Sequence, residues 1–214
     1  MELREVPWFS SLPQSEQDTV ARQVEVRNLR PQRSLYYQDD PARGAYFMMN
    51  GRVRLTKWRG GGRSLSLDTA LPGDWLALPE ALVAGPHLCD ATAAAATTYV
   101  RFGVDVLPGL IKLDSFRDVV LRAVASGFYA VHEMLAADSP DRLIGRYLRR
   151  LIETTPELAV DGAVSIRITQ EQLADATGLR RETVSKHLRA LQGAGILAVG
   201  RGRLRIDSEA KLPE

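Results

Sequence analysis

Apolar residues along this chain follow two rhythms. Up to about residue 106 they come in short alternating runs; from 108 onward they recur every third or fourth residue. The first rhythm predicts strands. Val24, Val26 and Leu29 lead into Pro31, and Leu35 and Tyr37 form the next run. Tyr46 to Met49 and Val53 to Trp58 flank Asn50-Gly51, the strongest short hairpin signal. Ser64 to Leu71 and Thr97 to Val106 continue the pattern. Asp39-Asp40-Pro41 with Gly44, and Arg59-Gly60-Gly61-Gly62-Arg63, read as turns. So many short strands predict a barrel or jelly roll. Ahead of them, Trp8 and Phe9 suit a short packed helix, with a second around 15–21.

The second rhythm predicts helices. Leu110, Leu113, Phe116, Val120, Val124, Gly127, Val131 and Leu135 share a face over 108–137, and Pro108 suits the initial turn. Val119, Leu121, Phe128 and Met134 widen that face. It is too broad for a helix lying on one small domain, so burial on two sides is expected. One side would meet the strands and the other a partner's identical helix, through Phe116, Val120, Val124, Gly127, Val131 and Leu135. The plainer alternative is a core helix of a single domain. Asp138-Ser139-Pro140 then breaks the pattern. Arg142–Ile152 follows as an amphipathic helix, with Leu143, Tyr147, Leu148 and Leu151 inward and Arg146, Arg149 and Arg150 outward. Val164, Ile166 and Ile168 alternate as a strand suited to pair with a later ribbon.

Residues 168–192 carry the most information. Thr169 with Gln172 three residues on is a capping box. Leu173, Ala174 and Ala176 face inward on the helix it starts, and Gly178 takes the corner. A second helix from about Arg181 to Gln192 turns Val184, Leu188 and Leu191 inward, leaving Arg181, Glu182, Ser185, Lys186 and Arg189 off that stripe. This is a helix-turn-helix pattern. A helical hairpin with a solvated face would look similar, but charge shifts the balance. From Arg180 to Arg205 there are seven Lys or Arg residues and one acidic residue, Glu182. Arg201, Arg203 and Arg205 alternate on a small hairpin, suiting a wing on phosphates beside a helix in the major groove.

The run Thr169-Gln170-Glu171-Gln172-Leu173-Ala174, then Gly178, then Arg181-Glu182-Thr183-Val184-Ser185-Lys186 with Leu188 and Leu191, closely resembles the winged helix of the CRP/FNR family of bacterial transcription regulators. Gly195-Ile196-Leu197 and the basic ribbon follow in the family's order, and the strands with the Pro72-Gly73-Asp74 turn resemble its cyclic-nucleotide-binding-type β-roll. The resemblance implies an α+β chain: an N-terminal jelly-roll β-barrel over 1–107, a dimerisation helix over 108–137, and a winged helix-turn-helix over 138–214. It implies base contacts from Arg181, Glu182, Ser185 and Lys186, where Lys186 replaces the family's usual Arg. Backbone contacts fall to Thr169, Thr183, Arg189, Arg201 and Arg203; for Thr169, capping alone is the alternative. The expected partners are double-stranded DNA carrying inverted TGTGA- or TTGA-like half-sites, a second copy of the chain, and RNA polymerase if the protein is an activator.

Residues 72–96 occupy the place of the family's phosphate-binding cassette. Gly73 and Asp74 match its opening, but Leu88 and Cys89 stand where its Arg and Ser/Thr hold a phosphate. Neither neutralises a phosphate, and Asp90 adds repulsion. The pocket is therefore expected to be vestigial, to take another ligand, or to collapse around Trp75 and Leu88, with no cyclic AMP dependence.

Composition narrows the rest. The net charge is only +2, so DNA binding rests on where charge lies. One Cys excludes a disulfide framework and a four-thiolate cluster within the chain. His87, His132 and His187 are too scattered for a metal set, and no cofactor is expected. No run approaches the roughly 18 apolar residues of a membrane helix, and no signal peptide opens the chain, so a reducing cytoplasm is expected. There are no internal repeats and no supported catalytic constellation. Two other functions remain open: a small-molecule-binding protein or enzyme with a structural C-terminal domain, and a nucleoid-type binder without base readout.

Overall fold

In the computed structural model, which describes residues 2–59, 63–136, 139–154, 159–160, 163–207 and 211–213, the alternating segments form two four-stranded sheets. The first runs β1 (Glu25–Leu29), β8 (Thr97–Gly103), β3 (Gly44–Asn50), β6 (Trp75–Leu76). The second runs β2 (Ser34–Tyr36), β7 (Asp90–Ala93), β4 (Val53–Arg59), β5 (Arg63–Ala70). The fold is α+β, with an N-terminal β-sheet domain and a winged helix-turn-helix after it. The expected closed barrel is not formed. β1 and β6 end one sheet and β2 and β5 the other, and among the described residues no strand ladder joins the two.

The turn at Asn50-Gly51 also differs from the expected hairpin. β3 pairs with β8 and β6, whereas β4 pairs with β7 and β5, so this turn carries the chain between sheets. Gly51 has φ +90°, and a Cβ there would lie 2.4 Å from the Ala96 carbonyl oxygen, which explains the glycine. The Gly60-Gly61-Gly62 turn lies outside the described residues.

Alternation along β3 and β8 sends Ala45, Phe47, Met49, Val100 and Phe102 to the helical side of the first sheet. There they join Val6, Phe9, Leu12 and Val20 from α1 (Pro7–Ser10), α2 (Gln14–Gln23) and their flanks. Leu107 and Leu110 of α4 (Leu107–Leu110), and Phe116 and Val120 of α5 (Asp114–Ala136), complete this core. The indole of Trp8 touches the rings of Phe9, Phe47, Trp75, Phe102 and Phe116. On the other side, Tyr46 stacks on Tyr36 of the second sheet.

The helical pattern expected over 108–137 is broken in two. A turn follows α4, and α5 restarts at Asp114 because Glu16 of α2 takes its first amides: Phe116 N donates to Oε2 at 3.1 Å and Ser115 N to Oε1 at 3.4 Å. A carboxylate there satisfies orphan donors and complements the helix dipole.

The chain divides into two compact units, residues 1–65 with 69–131 and residues 66–68 with 132–214. In the second, α6 (Pro140–Thr154) packs on α7 (Gln170–Thr177) and α8 (Arg181–Gly193). Ile144, Tyr147, Leu148 and Leu151 of α6 are buried, and Ile144 takes the inward place expected of Leu143. β9 (Ala159–Val160), β10 (Ala163–Ile166), β11 (Leu197–Gly200) and β12 (Arg203–Ile206) form a sheet in the order β11-β12-β10-β9. As the alternation predicts, β10 pairs with the wing: Val164 with Ile206, Ile166 with Leu204. Arg149, expected outward, instead turns to the C-terminal segment, where its guanidinium donates to the Leu212 and Pro213 carbonyls.

Candidate nucleic-acid interface

The interface is built on two helix starts. At the first, both bonds of the capping box form: Gln172 N donates to Thr169 Oγ1 at 3.1 Å and Thr169 N to Gln172 Oε1 at 2.9 Å. The Thr169 hydroxyl accepts in this cap, so its own proton stays available to an outside acceptor. Capping and a phosphate contact are therefore compatible. Gly178 closes α7 at φ +68°, a left-handed corner suited to glycine. The chain then enters α8, anchored by Val184, Leu188 and Leu191, all buried.

That anchoring fixes what faces solvent. Arg181, Glu182, Lys186 and Arg189 are exposed, and Ser185 and Thr183 half-buried. Arg181, Glu182, Ser185, Lys186 and Arg189, with Gln170, line one open depression of about 530 Å³. A second, of about 300 Å³, runs along Ile168, Thr169, Gln170, Glu171 and Arg181 to Val199, Gly200, Gly202 and Leu204 of the wing. Gln170 and Arg181 line both. Sequence reasoning left Gln170 out of the contact set; its place as first residue of a capped helix beside α8 was the available clue.

On the wing, Leu204 and Ile206 are buried, which turns Arg203 and Arg205 to the opposite, exposed face. Arg201 and Gly202 form the tip, Gly202 at φ +71°. Arg205 pairs with Asp207 at 2.9 Å, which draws part of its charge from the surface. Arg201 and Arg203 remain exposed on the wing, as Arg181, Lys186 and Arg189 do on α8, and cations of this kind suit phosphate oxygens.

Asp74 Oδ2 accepts from Leu71 N at 2.7 Å, which braces the Gly73 turn, itself at φ +98°. Of the three outcomes expected for this pocket, the structure does not show collapse around Trp75 and Leu88. Trp75 sits in the aromatic core with Trp8, Phe47 and Phe102, and Leu88 is 61% exposed. The two point apart because Trp75 lies on β6 of the first sheet, while Leu88 precedes β7 of the second. Cys89 is buried; burial, then Glu80 and Asp90, push its thiol up to about 11.

The seam residues divide. Phe116 and Val120 are buried in the chain's own core and cannot face a partner, a correction to the expected set. Val124, Gly127 and Val131 are exposed, together with Leu121 and Phe128; the Leu135 side chain lies outside the described residues. Leu121, Val124, Phe128 and Val131 fall at the alternating three- and four-residue spacing of a two-helix seam.

Comparison with known proteins agrees with this layout. Residues 144–214 match the model of the Crp-like helix-turn-helix domain, and residues 26–114 that of the cyclic nucleotide-binding domain. The chain is 30% identical over 174 residues to the transcriptional regulator LdrP of Thermus thermophilus, covering 80% of this chain and 86% of the relative. It is 26% identical over 214 residues to a cyclic AMP receptor protein of the same species, covering 97% and 95%. The crystal structure of a CRP/FNR-family transcriptional regulator, also from Thermus thermophilus, superposes with TM-score 0.67 at 24% identity, over 85% of this chain and 93% of that one.

Proposed function

The chain belongs to the CRP/FNR family of transcription regulators, and from that premise we propose that it binds an inverted-repeat DNA site as a homodimer without needing a cyclic nucleotide. In functional terms residues 1–107 form the sensory-type domain, 108–137 the dimerisation element and 138–214 the DNA-binding domain. The family is one of regulators, not enzymes. One observation carries the DNA reading: the exposed groups of α8 line a single depression that meets the wing groove at Gln170 and Arg181.

In this reading α8 enters the major groove. Arg181 gives its fork to a guanine, Glu182 accepts from a cytosine amino group, and Ser185 and Lys186 complete the base contacts; each good bidentate pair is worth about 1–3 kcal/mol of discrimination. Thr169, Thr183, Arg189, Arg201 and Arg203 hold phosphates. Two-fold pairing along Leu121, Val124, Phe128 and Val131 sets two recognition helices on half-sites about one helical turn apart. TGTGA- or TTGA-like half-sites are the proposed targets, with activation through contact with RNA polymerase in the cytoplasm. Among the described residues no helix is long and apolar enough to cross a membrane.

Independence from cyclic AMP rests on chemistry. One relative is named a cyclic AMP receptor protein, but a buried phosphate needs paired charge or several donors. Here the clamp positions hold an exposed Leu88 and a neutral, buried Cys89, and Asp74 is engaged in its own turn.

The test is selection from random duplexes with effector-free protein, then titration of the selected duplex at several salt concentrations with and without cyclic AMP or cyclic GMP. An inverted repeat bound tightly and unaltered by either nucleotide is the expected result. Equal binding to all duplexes would instead identify a charge-only binder. A tenfold tightening by a nucleotide, about 1.4 kcal/mol of coupling, would overturn the effector-free reading.

A further inference from the structure

His187 is on the recognition helix but outside both grooves, and its imidazole Nδ1 lies 2.5 Å from Oδ1 of Asp141 in the first turn of α6. We propose that this pair is a positioning latch that fixes the rotation of α8 about its own axis, and so the aim of its base-reading side chains. The proposal rests on the DNA-binding reading above.

His187 stands at the edge of the inward stripe of Val184, Leu188 and Leu191, on the side away from Ser185, and one turn after Thr183. The inward stripe holds α8 down by apolar burial, which is non-directional and restrains rotation only through shape. A carboxylate–imidazole bond is directional and among the strong hydrogen bonds. Its anchor, Asp141, stands in the first turn of α6, where the helix dipole favours a carboxylate. The pair is partly shielded, with side chains 19% and 41% exposed for His187 and Asp141.

Rotation matters on this helix more than on others. Side-chain tips lie about 5–6 Å from a helix axis, so a roll of about 20° moves them about 2 Å. A hydrogen bond to a base edge tolerates only about half an ångström of distance, so a free roll costs sequence readout. Long, flexible cations still reach phosphates from a rolled helix. The latch therefore acts on selectivity and leaves charge-driven affinity alone.

The experiment compares the parent with Asp141→Ala, His187→Ala, the double variant and His187→Gln, which keeps a donor toward Asp141. Each is titrated with the duplex selected by the parent and with a scrambled duplex, and thermal unfolding is followed alongside. Each alanine variant is expected to lose about tenfold on the selected duplex, and the double variant no more than either single, the mark of one shared interaction. His187→Gln keeps selectivity, and affinity for the scrambled duplex stays level throughout. A parent that selects no sequence defeats the DNA reading itself. A parent that does select one, with alanine variants that keep full selectivity or lose equally on both duplexes, defeats the latch alone. If the alanine variants melt early, His187→Gln decides: retained selectivity supports the bond to Asp141, and lost selectivity refutes it.

Discussion

The imidazole of His87 lies face to face with the phenol ring of Tyr36, centroids 3.8 Å apart and planes 13° apart. Only 2% of His87 is exposed, and among the described residues its Nδ1 has no hydrogen-bond partner. Burial lowers the pKa below the ordinary 6.5, against smaller opposing effects of Glu80 and Asp40. The native imidazole thus stays neutral where the unfolded one takes a proton. Its contribution is intact above the unfolded value and is lost as pH falls through the depressed native one. Denaturant unfolding from pH 8 to 5 is expected to show stability falling from about 6.5 downward. His87→Phe, which keeps a ring against Tyr36, should flatten that part of the curve. Parallel curves for parent and variant would rule out His87 as the cause.

Cys89 gives the opposite window. Burial holds its thiol neutral, with a pKa of about 11 against an ordinary 9.0. A group with a raised native pKa contributes fully below the unfolded value and loses that contribution as pH rises through the native one. Between pH 9 and 11 the parent should therefore lose more stability than Cys89→Ala. At pH 8 a thiol reagent should label the native protein slowly and the urea-unfolded chain at once. Rapid native labelling would show an activated thiol and undo this account.

Phe116 and Phe128 share α5 yet should fail differently. Phe116 is fully buried among Trp8, Phe102 and its neighbours, and Phe116→Ala should cost about 3–5 kcal/mol of stability while leaving association of the folded protein intact. Phe128 is 67% exposed beside Leu121, Val124 and Val131, an apolar surface that invites a partner. Phe128→Glu should yield a folded monomer by sedimentation velocity. A dimer that survives this change places the seam elsewhere.

These two residues also show where sequence stops being informative. Periodicity identifies a broad apolar band on α5, but nothing local says which edge packs on the sheet and which stays exposed. Packing of β3 and β8 decides it. The helix-turn-helix was legible because its determinants are local: the Thr169–Gln172 box, the Gly178 corner and the stripe of Val184, Leu188 and Leu191. Asn50-Gly51 was misleading for the converse reason. A tight turn has the same local chemistry whether it joins neighbours in one sheet or carries the chain to another, and strand partners are chosen by distant residues. β7 hid in an alanine-rich run with little β propensity, and its pairing with β4 supplies what its composition lacks. The bond between Asp141 and His187 spans 46 residues and leaves no pattern in the sequence.

Glu182 and Arg203 should separate base readout from charge. Both are exposed, Glu182 in the first turn of α8 and Arg203 on the wing beyond the Gly202 turn. A carboxylate facing DNA is repelled by every phosphate, so it is tolerated only where it accepts from a base donor such as a cytosine amino group. Glu182→Ala removes that repulsion together with the hydrogen bond. Binding to scrambled DNA should hold or tighten, while preference at one base pair of each half-site relaxes by about 1–3 kcal/mol. Arg203→Ala removes a cation with no base preference. It should weaken selected and scrambled duplexes alike and reduce the slope of log affinity against log salt by about 0.9 for each phosphate no longer neutralised. The measurement is a position-by-position binding matrix for parent and variants at two or more salt concentrations. An unchanged matrix for Glu182→Ala would remove Glu182 from the base-reading set. A matrix altered at one position by Arg203→Ala would move the wing from phosphate binding to base readout.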